Sequence, residues 1–263
     1  MESYALYSRI IPYYFKDRSS YGFSVNLVDK ICKRELGKLD QVHALDMGAG
    51  FGAHAEMFAE KGYNVTAIEL STHMVNLFRE RLKLSKPDIK QRISLFHDSW
   101  FNEDGDWNKS KSYQLIYFLG NTIWNTGNRN DLSRLLRNSY DLLVDGGLVV
   151  FDLDAFDDLE DNAELVWGKP VATDVPGTKF QSAFSKRRLG NDGELEVTLH
   201  VKWIENGIER IEKEKFQTFA FDSEVVEEIA TQTGFQLIET LKPRKLYDPT
   251  TTIDQTMWIL KKN

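Results

Sequence analysis

From residue 42 to residue 153, short apolar runs alternate with segments whose apolar positions recur every three or four residues, the pattern of a strand–helix–strand chain. "VHALDM" predicts a strand ending at glycines, "AHAEMFAEKG" a helix stopped by Gly62, and "YNVTAIEL" a second strand. Ser71 is placed to cap the helix "THMVNLFRERL", in which Met74, Val75, Phe78 and Leu82 share a face. "RISLFHD" and "YQLIYFLG" read as two more strands, the second nearly all apolar and so central. Leu132, Leu135, Leu136 and Leu143 mark a helix, and Asp145 to Gly147 turn the chain into "LVVFDLD".

The alternation breaks after Asp154. An acidic stretch, "DLDAFDDLEDNAEL", precedes three β-like runs separated by "GNDG" and "ENG", the signature of an antiparallel meander on short turns. The α/β pattern then resumes with "SEVVEEIATQTG", "FQLIETLKP" and "TIDQTMWILKK". The predicted fold is α/β: a Rossmann-like, doubly wound, mostly parallel seven-stranded sheet with an inserted antiparallel β meander. The expected division is an N-terminal helical lid (1–38), a cofactor-binding core (39–155), a β insertion over the active site (156–220) and a C-terminal helix and strands completing the core sheet (221–263).

In such a sheet the first strand–helix loop belongs to the ligand site. Here it is "ALDMGAGFGAHAEMF", whose Gly48, Gly50 and Ala53 fit the dinucleotide pattern G-x-G-x-x-G/A; Glu69 follows 21 residues after Gly48. Asp46 speaks against a pyrophosphate. It ends the first strand two residues before Gly48, and two like charges at roughly 4 Å cost about 1 kcal/mol in water and several times more in a cleft. A ligand with a cationic end suits it better.

"LDMGAGFG", with "IELSTHMV" downstream, resembles the class I S-adenosylmethionine-dependent methyltransferases, over residues 42–153 and 223–263. The resemblance implies S-adenosylmethionine as cofactor and S-adenosylhomocysteine as product. Gly48, Ala49, Gly50 and Gly52 would border the methionine moiety together with Leu119, and Asp46 would lie near its amino group. Glu69 would accept both ribose hydroxyls, as a carboxylate with two acceptor oxygens can. Leu70 and Met74 would pack on the adenine faces, Asp98 would accept the exocyclic amine, and the Ser99 amide would reach a ring nitrogen.

The loop after the fourth strand, "LGNTIWN", faces the methyl side of such a site. It lacks the Asn/Asp-Pro-Pro-aromatic signature of enzymes that methylate nucleic-acid or protein amines. It resembles the loop of glycine and sarcosine N-methyltransferases, and the meander is similar to theirs and to that of sugar-amine N-methyltransferases. The start "YFKDRSSYGF" is similar in kind to their amino-terminal lid. Asn121 is the candidate to orient an acceptor, with Tyr21, Trp124 and Trp203 walling the cleft. An amine nucleophile needs orientation more than a base, whereas a hydroxyl needs one, for which His200 is the candidate. His54 and His97 read as structural.

The remaining signals narrow the partners. The chain has 263 residues and a formal charge of −7, with no long basic run, which argues against a nucleic-acid surface and for a small-molecule acceptor. No window is apolar enough for a membrane span or a leader, and a single Cys32 fits a reducing cytoplasm. No metal site is expected: the acidic run Asp152, Asp154, Asp157, Asp158, Glu160, Asp161 reads as a solvated loop, with Phe156 at the head of the acceptor pocket. Lys242, Arg244 and Lys245 read as a charged turn. The leading expectation is a small-molecule methyltransferase, amine favoured over hydroxyl. A non-catalytic S-adenosylmethionine binder, a tRNA or protein methyltransferase and a nicotinamide oxidoreductase stay open beside it. Oligomeric state has no signal.

Overall fold

The computed structural model describes residues 4–14, 19–37, 41–109, 112–154, 165–189, 193–241 and 255–263. Two helices, α1 (Ala5–Tyr14) and α2 (Ser19–Glu35), precede the alternating region. That region runs β1 (His43–Met47), α3 (Ala53–Glu60), β2 (Asn64–Glu69), α4 (Thr72–Leu84), α5 (Pro87–Lys90), β3 (Ile93–His97), β4 (Tyr113–Phe118), α6 (Arg129–Leu142) and β5 (Leu143–Asp154). A second sheet follows, β6 (Val171–Ala172), β7 (Thr178–Arg188), β8 (Glu194–Glu205) and β9 (Ile208–Phe219), and then α7 (Ser223–Thr233), β10 (Phe235–Leu241) and β11 (Gln255–Lys262).

The first sheet has seven strands in the order β10-β11-β5-β4-β1-β2-β3. Pairing is parallel from β5 to β3 and antiparallel where β11 joins β5 and β10. This is the predicted Rossmann-like sheet. Its interior strands alternate between two cores: Leu115 and Tyr117 of β4 face the α2–α3 layer, whereas Ile116 and Phe118 face α6 and α7. Burial on both faces explains why "YQLIYF" is nearly continuous apolar sequence. Each fully buried Phe or Leu here contributes about 1.5–3 kcal/mol.

The second sheet, ordered β6-β7-β8-β9, is antiparallel, and carries one short strand more than the three foreseen. The "ENG" signal becomes a two-residue hairpin with Asn206 at φ 51 and Gly207 at φ 83, the left-handed pair that matches strand twist. Phe180, Leu199, Val201 and Trp203 form one face of this sheet and receive Leu6 and Ile10 of α1. The other side of α1 places Ile11 against Phe51, Ala53 and Met74. Helix α1 is therefore wedged between the second sheet and the glycine loop with α3 and α4, tied to β9 by Arg9–Glu212 at 2.5 Å and by the Tyr7 amide donating to Glu214 at 2.9 Å.

Among the described residues no helix is long and apolar enough to cross a membrane. Phe156, Asp157, Asp158, Glu160, Asp161, Lys242, Arg244 and Lys245 lie outside the described residues, as do Phe15 to Arg18 of the N-terminal run.

Candidate active site

A cavity of about 450 Å³ opens at the carboxyl ends of β1, β2, β3 and β4 and is roofed by α1. That is where an open parallel sheet places its ligand. Strand β1 delivers the glycine loop. Gly48 has φ 79, and a Cβ there would lie 2.3 Å from Thr122 Cγ2, so only glycine lets the two loops meet. Gly48, Ala49 and Gly50 line the cavity.

Gly52 does not. A Cβ on Gly52 would fall 2.1 Å from the Phe78 ring, so this glycine admits α4 against α3. Asp46 departs as well. It is 2% exposed, pairs in register with Tyr117 across β1 and β4, and lies behind the glycine loop, outside the cavity lining. Among the described residues Asp46 Oδ2 and the Tyr117 hydroxyl have no hydrogen-bond partner, and burial pushes the Asp46 carboxyl well up, against the moderating Tyr117 hydroxyl nearby.

Glu69, at the end of β2, is held from both sides. Its Oε2 accepts the Gly50 amide at 2.8 Å and its Oε1 accepts the Ser71 amide at 2.7 Å. Burial raises its carboxyl, and the backbone donors oppose that rise. Each oxygen keeps a second lone pair, so the residue can still accept two hydroxyls. Ser71 caps α4 through its side chain as the sequence predicts, and this sets Met74 into the cavity wall opposite the exposed Leu70.

Asp98 lines the same end. Trp107 Nε1 donates to its Oδ2 at 3.0 Å, Asn102 bridges both oxygens, and the Ser99 amide donates to Oδ1 at 2.7 Å. That amide, expected on an adenine nitrogen, is thus turned onto its own neighbour. Ser99 still borders the cavity, beside Trp100 and Phe101, which the sequence reading missed.

At the far end, Leu119 and Gly120 line the cavity, Gly120 at φ 80. Asn121 does not line it. Its backbone is left-handed at φ 62 and its amide donates at 3.0 Å to Oδ1 of Asp152, which is fully buried. That bond ties the loop to β5. Asn125, four residues on, reaches the cavity instead and accepts the Tyr4 hydroxyl at 2.7 Å. Tyr21 is on the wall, its ring 5.1 Å from the His54 ring.

His54 also lines the cavity, although its place on an apolar helix face gave it the look of a packing residue. Burial drops its imidazole to about 3. His200, the candidate base, is elsewhere: on β8 it alternates with Leu199 and Val201 and so points away from α1, with Nε2 on the Ser185 hydroxyl at 2.9 Å. Trp203 faces α1, under Arg9 at 4.8 Å, and Trp124 packs into the α6–α7 core; neither walls the cavity. Tyr4, just before α1, Tyr7 of α1 and Gln217 of β9 do, having carried no sequence signal. The described lining holds the carboxyls of Glu69 and Asp98 and no Lys or Arg. Such a lining offers no cationic side chain to a pyrophosphate. Among the described residues no three His, Cys, Asp or Glu converge as metal ligands, and burial pushes the Cys32 thiol up to about 12.

Residues 44–147 match the family model of a methyltransferase domain. This segment is a methyltransferase domain. The fold around it is shared with an S-adenosylmethionine-dependent methyltransferase from Clostridium acetobutylicum, at TM-score 0.71 and 14% identity over 98% of this chain and 99% of that one. It is also shared with CalS10, an amino pentose methyltransferase from Micromonospora echinaspora, at 0.70 and 16% over 90% and 89%. The sugar N-methyltransferase KedS8 from a Streptoalloteichus species superimposes at 0.70 with 17% identity over 100% and 94%. No curated protein matches the chain in sequence. The matched segment carries the glycine loop, Glu69, Asp98 and the loop after β4.

Proposed function

We propose that the protein transfers a methyl group from S-adenosylmethionine to an amine on a small polar acceptor of the aminosugar class. The observation that carries the choice of amine is the acceptor end of the cavity. Its one imidazole, His54, is held at about 3, far too weak a base to ionise a hydroxyl, and His200 points away. An unprotonated amine needs no such base; aiming it supplies most of the rate.

When bound, the cofactor supplies an electrophilic methyl on a sulfonium. Glu69, its oxygens held by the Gly50 and Ser71 amides, would accept the ribose hydroxyls, and Met74 and Leu70 would flank the adenine next to Asp98. Leu119, Gly120 and Tyr21 would border the methyl beneath α1. Asn125 and Gln217 offer amides to a hydroxylated acceptor, as the sugar and amino pentose acceptors named for KedS8 and CalS10 would need. The four-stranded sheet is in this reading the insertion over the site, from which Gln217 alone among the described residues reaches the cavity. The glycine and sarcosine likeness rests on the "LGNTIWN" loop, and small amino acids belong in the same trial. A cytoplasmic setting and a small-molecule partner complete the proposal.

S-adenosylhomocysteine release, measured with aminosugars, with glycine and sarcosine, and with the matching hydroxyl compounds, tests it. Turnover with an amine and not its hydroxyl counterpart is expected; turnover confined to hydroxyl compounds, or to tRNA or protein, would overturn it.

A further inference from the structure

Asp98 follows β3 directly and borders the cavity with a carboxylate that its own loop already engages. The Ser99 amide donates to Oδ1 at 2.7 Å, and Trp107 Nε1 donates to Oδ2 at 3.0 Å. The side-chain amide of Asn102 donates to both oxygens, at 3.0 Å to Oδ1 and 2.9 Å to Oδ2. A carboxylate offers about four lone-pair positions, two on each oxygen, and donors approach near its plane. These contacts among the described residues fill them. A further donor, such as the exocyclic amine of an adenine, reaches Asp98 only when one of the three groups leaves.

The three differ in their freedom to leave. Ser99 offers a main-chain amide. Trp107 is 2% exposed and packs in the core, where the Tyr113 hydroxyl donates to its carbonyl. Gly105 closes that side: a Cβ there would lie 2.7 Å from Asp98 Oδ2 and 2.3 Å from Trp107 Nε1. Asn102 alone of the three is an exposed side chain. Its turn does not depend on Asp98, because its main-chain amide donates to the Ser99 carbonyl at 3.0 Å and its carbonyl accepts the Gly105 amide at 3.2 Å. The side chain is also oriented: Oδ1 accepts the Asp104 amide at 3.2 Å, which leaves Nδ2 for Asp98.

We propose that Asn102 is a competitor built into the cofactor site: its amide holds the place on Asp98 that the adenine exocyclic amine takes, and yields it when the cofactor binds. The inference rests on the reading above that sets adenine beside Asp98. In the exchange one N–H donor replaces another on the same oxygens, so Asp98 keeps its donors throughout, and the Asn102 amide turns to water, which its exposure allows. The competition weakens the hold on S-adenosylhomocysteine as much as on S-adenosylmethionine, since both carry the same adenine. It therefore favours release of the product as well as lowering affinity for the substrate.

Asn102→Ala and Asn102→Ser both remove the competing amide; the serine hydroxyl is too short to bridge Asp98 yet can still accept the Asp104 amide. S-adenosylhomocysteine, and its analogue with unsubstituted purine in place of adenine, are titrated calorimetrically into the parent and both variants. The analogue lacks the amine. A loosened turn would change both affinities alike, so the readout is the ratio of the two Kd values. The preference for adenine over purine should rise about three- to tenfold in both variants, the worth of one hydrogen bond. A preference unchanged or reduced in either variant would overturn the proposal. A second readout uses ¹⁵N-labelled parent, with the Asn102 side-chain signals assigned by their loss in Asn102→Ser. S-adenosylhomocysteine should shift those signals and the purine analogue should leave them in place; a shift with both, or with neither, would overturn the proposal. Nuclear Overhauser effects between the adenine ring protons and the Met74 methyl keep the two levels apart. With those contacts present, an unmoved ratio refutes the competition alone; without them, the placement of adenine beside Asp98 falls instead.

Discussion

Replacing Glu69 by Gln probes the cofactor half of the cavity with little change in volume. In the parent, each carboxylate oxygen takes one backbone amide, Gly50 at 2.8 Å and Ser71 at 2.7 Å, and offers its other lone pair to a ribose hydroxyl. Glutamine has one acceptor oxygen, so its NH₂ must face either Gly50 or Ser71. That leaves a nearly buried N–H without an acceptor, a cost of about 1–3 kcal/mol in the empty protein, or roughly 2–4 °C in Tm for each kcal/mol. Binding suffers separately. One hydrogen bond to a charged acceptor is lost, worth about 1.5–3 kcal/mol, which predicts a Kd for S-adenosylhomocysteine about 10- to 150-fold weaker. Isothermal titration measures the second effect and differential scanning calorimetry the first. A 2′-deoxyribose analogue completes the cycle: it should bind the parent more weakly but lose little further in the variant. A Kd within threefold of the parent, or an unchanged penalty for the deoxy analogue, would refute the assignment of Glu69 to the ribose.

Three further outcomes follow from the geometry. His54 is neutral in the fold at about 3 but protonates near 6.5 when unfolded, so the unfolded state binds more protons and stability falls as pH drops below about 6.5. At about 1.4 kcal/mol per pH unit, the parent should lose roughly 2 kcal/mol more than His54→Leu between pH 6.5 and 5 in urea titrations; parallel curves would contradict the neutral burial. Gly52→Ala puts a Cβ into the Phe78 ring at φ 83 and should cost about 2–4 kcal/mol, seen as a lower Tm, while the folded fraction binds S-adenosylhomocysteine within threefold. His200→Gln keeps a donor or acceptor for Ser185 and should leave kcat within twofold; a tenfold fall would restore His200 as the base.

The cofactor half of this site was legible because its signals are local. A strand, a glycine turn and a helix lie within eighteen residues, and the acid ending the next strand falls at a spacing the βαβ unit fixes. Two residues expected there, Gly52 and Asp46, lie outside the cavity lining, for physical reasons. Gly52 belongs to the same glycine loop, yet what it admits is the Phe78 ring from another helix, which spacing does not show. Asp46 ends its strand facing the buried layer shared with Tyr117, and the pleat that decides this depends on sheet pairing. The acceptor half is assembled from distant segments. Tyr4 and Tyr7 arrive at the start of a helix wedged between the second sheet and the glycine loop, and Gln217 comes from a strand whose alternation leaves open which face is covered. His200 and Trp203 were misplaced for the same reason, since neighbouring strands of the meander determine which side meets α1. His54 was passed over because a lone histidine among alanines reads as packing until the loop carrying Gly120 is brought against it.

A crystal structure with S-adenosylhomocysteine and an aminosugar bound tests the central claim most directly. The account predicts both ribose hydroxyls on Glu69, adenine between Leu70 and Met74, the sulfur facing Gly120 and Tyr21, and the acceptor nitrogen under α1. A ribose turned away from Glu69, or an acceptor bound outside the cavity that α1 roofs, would contradict it.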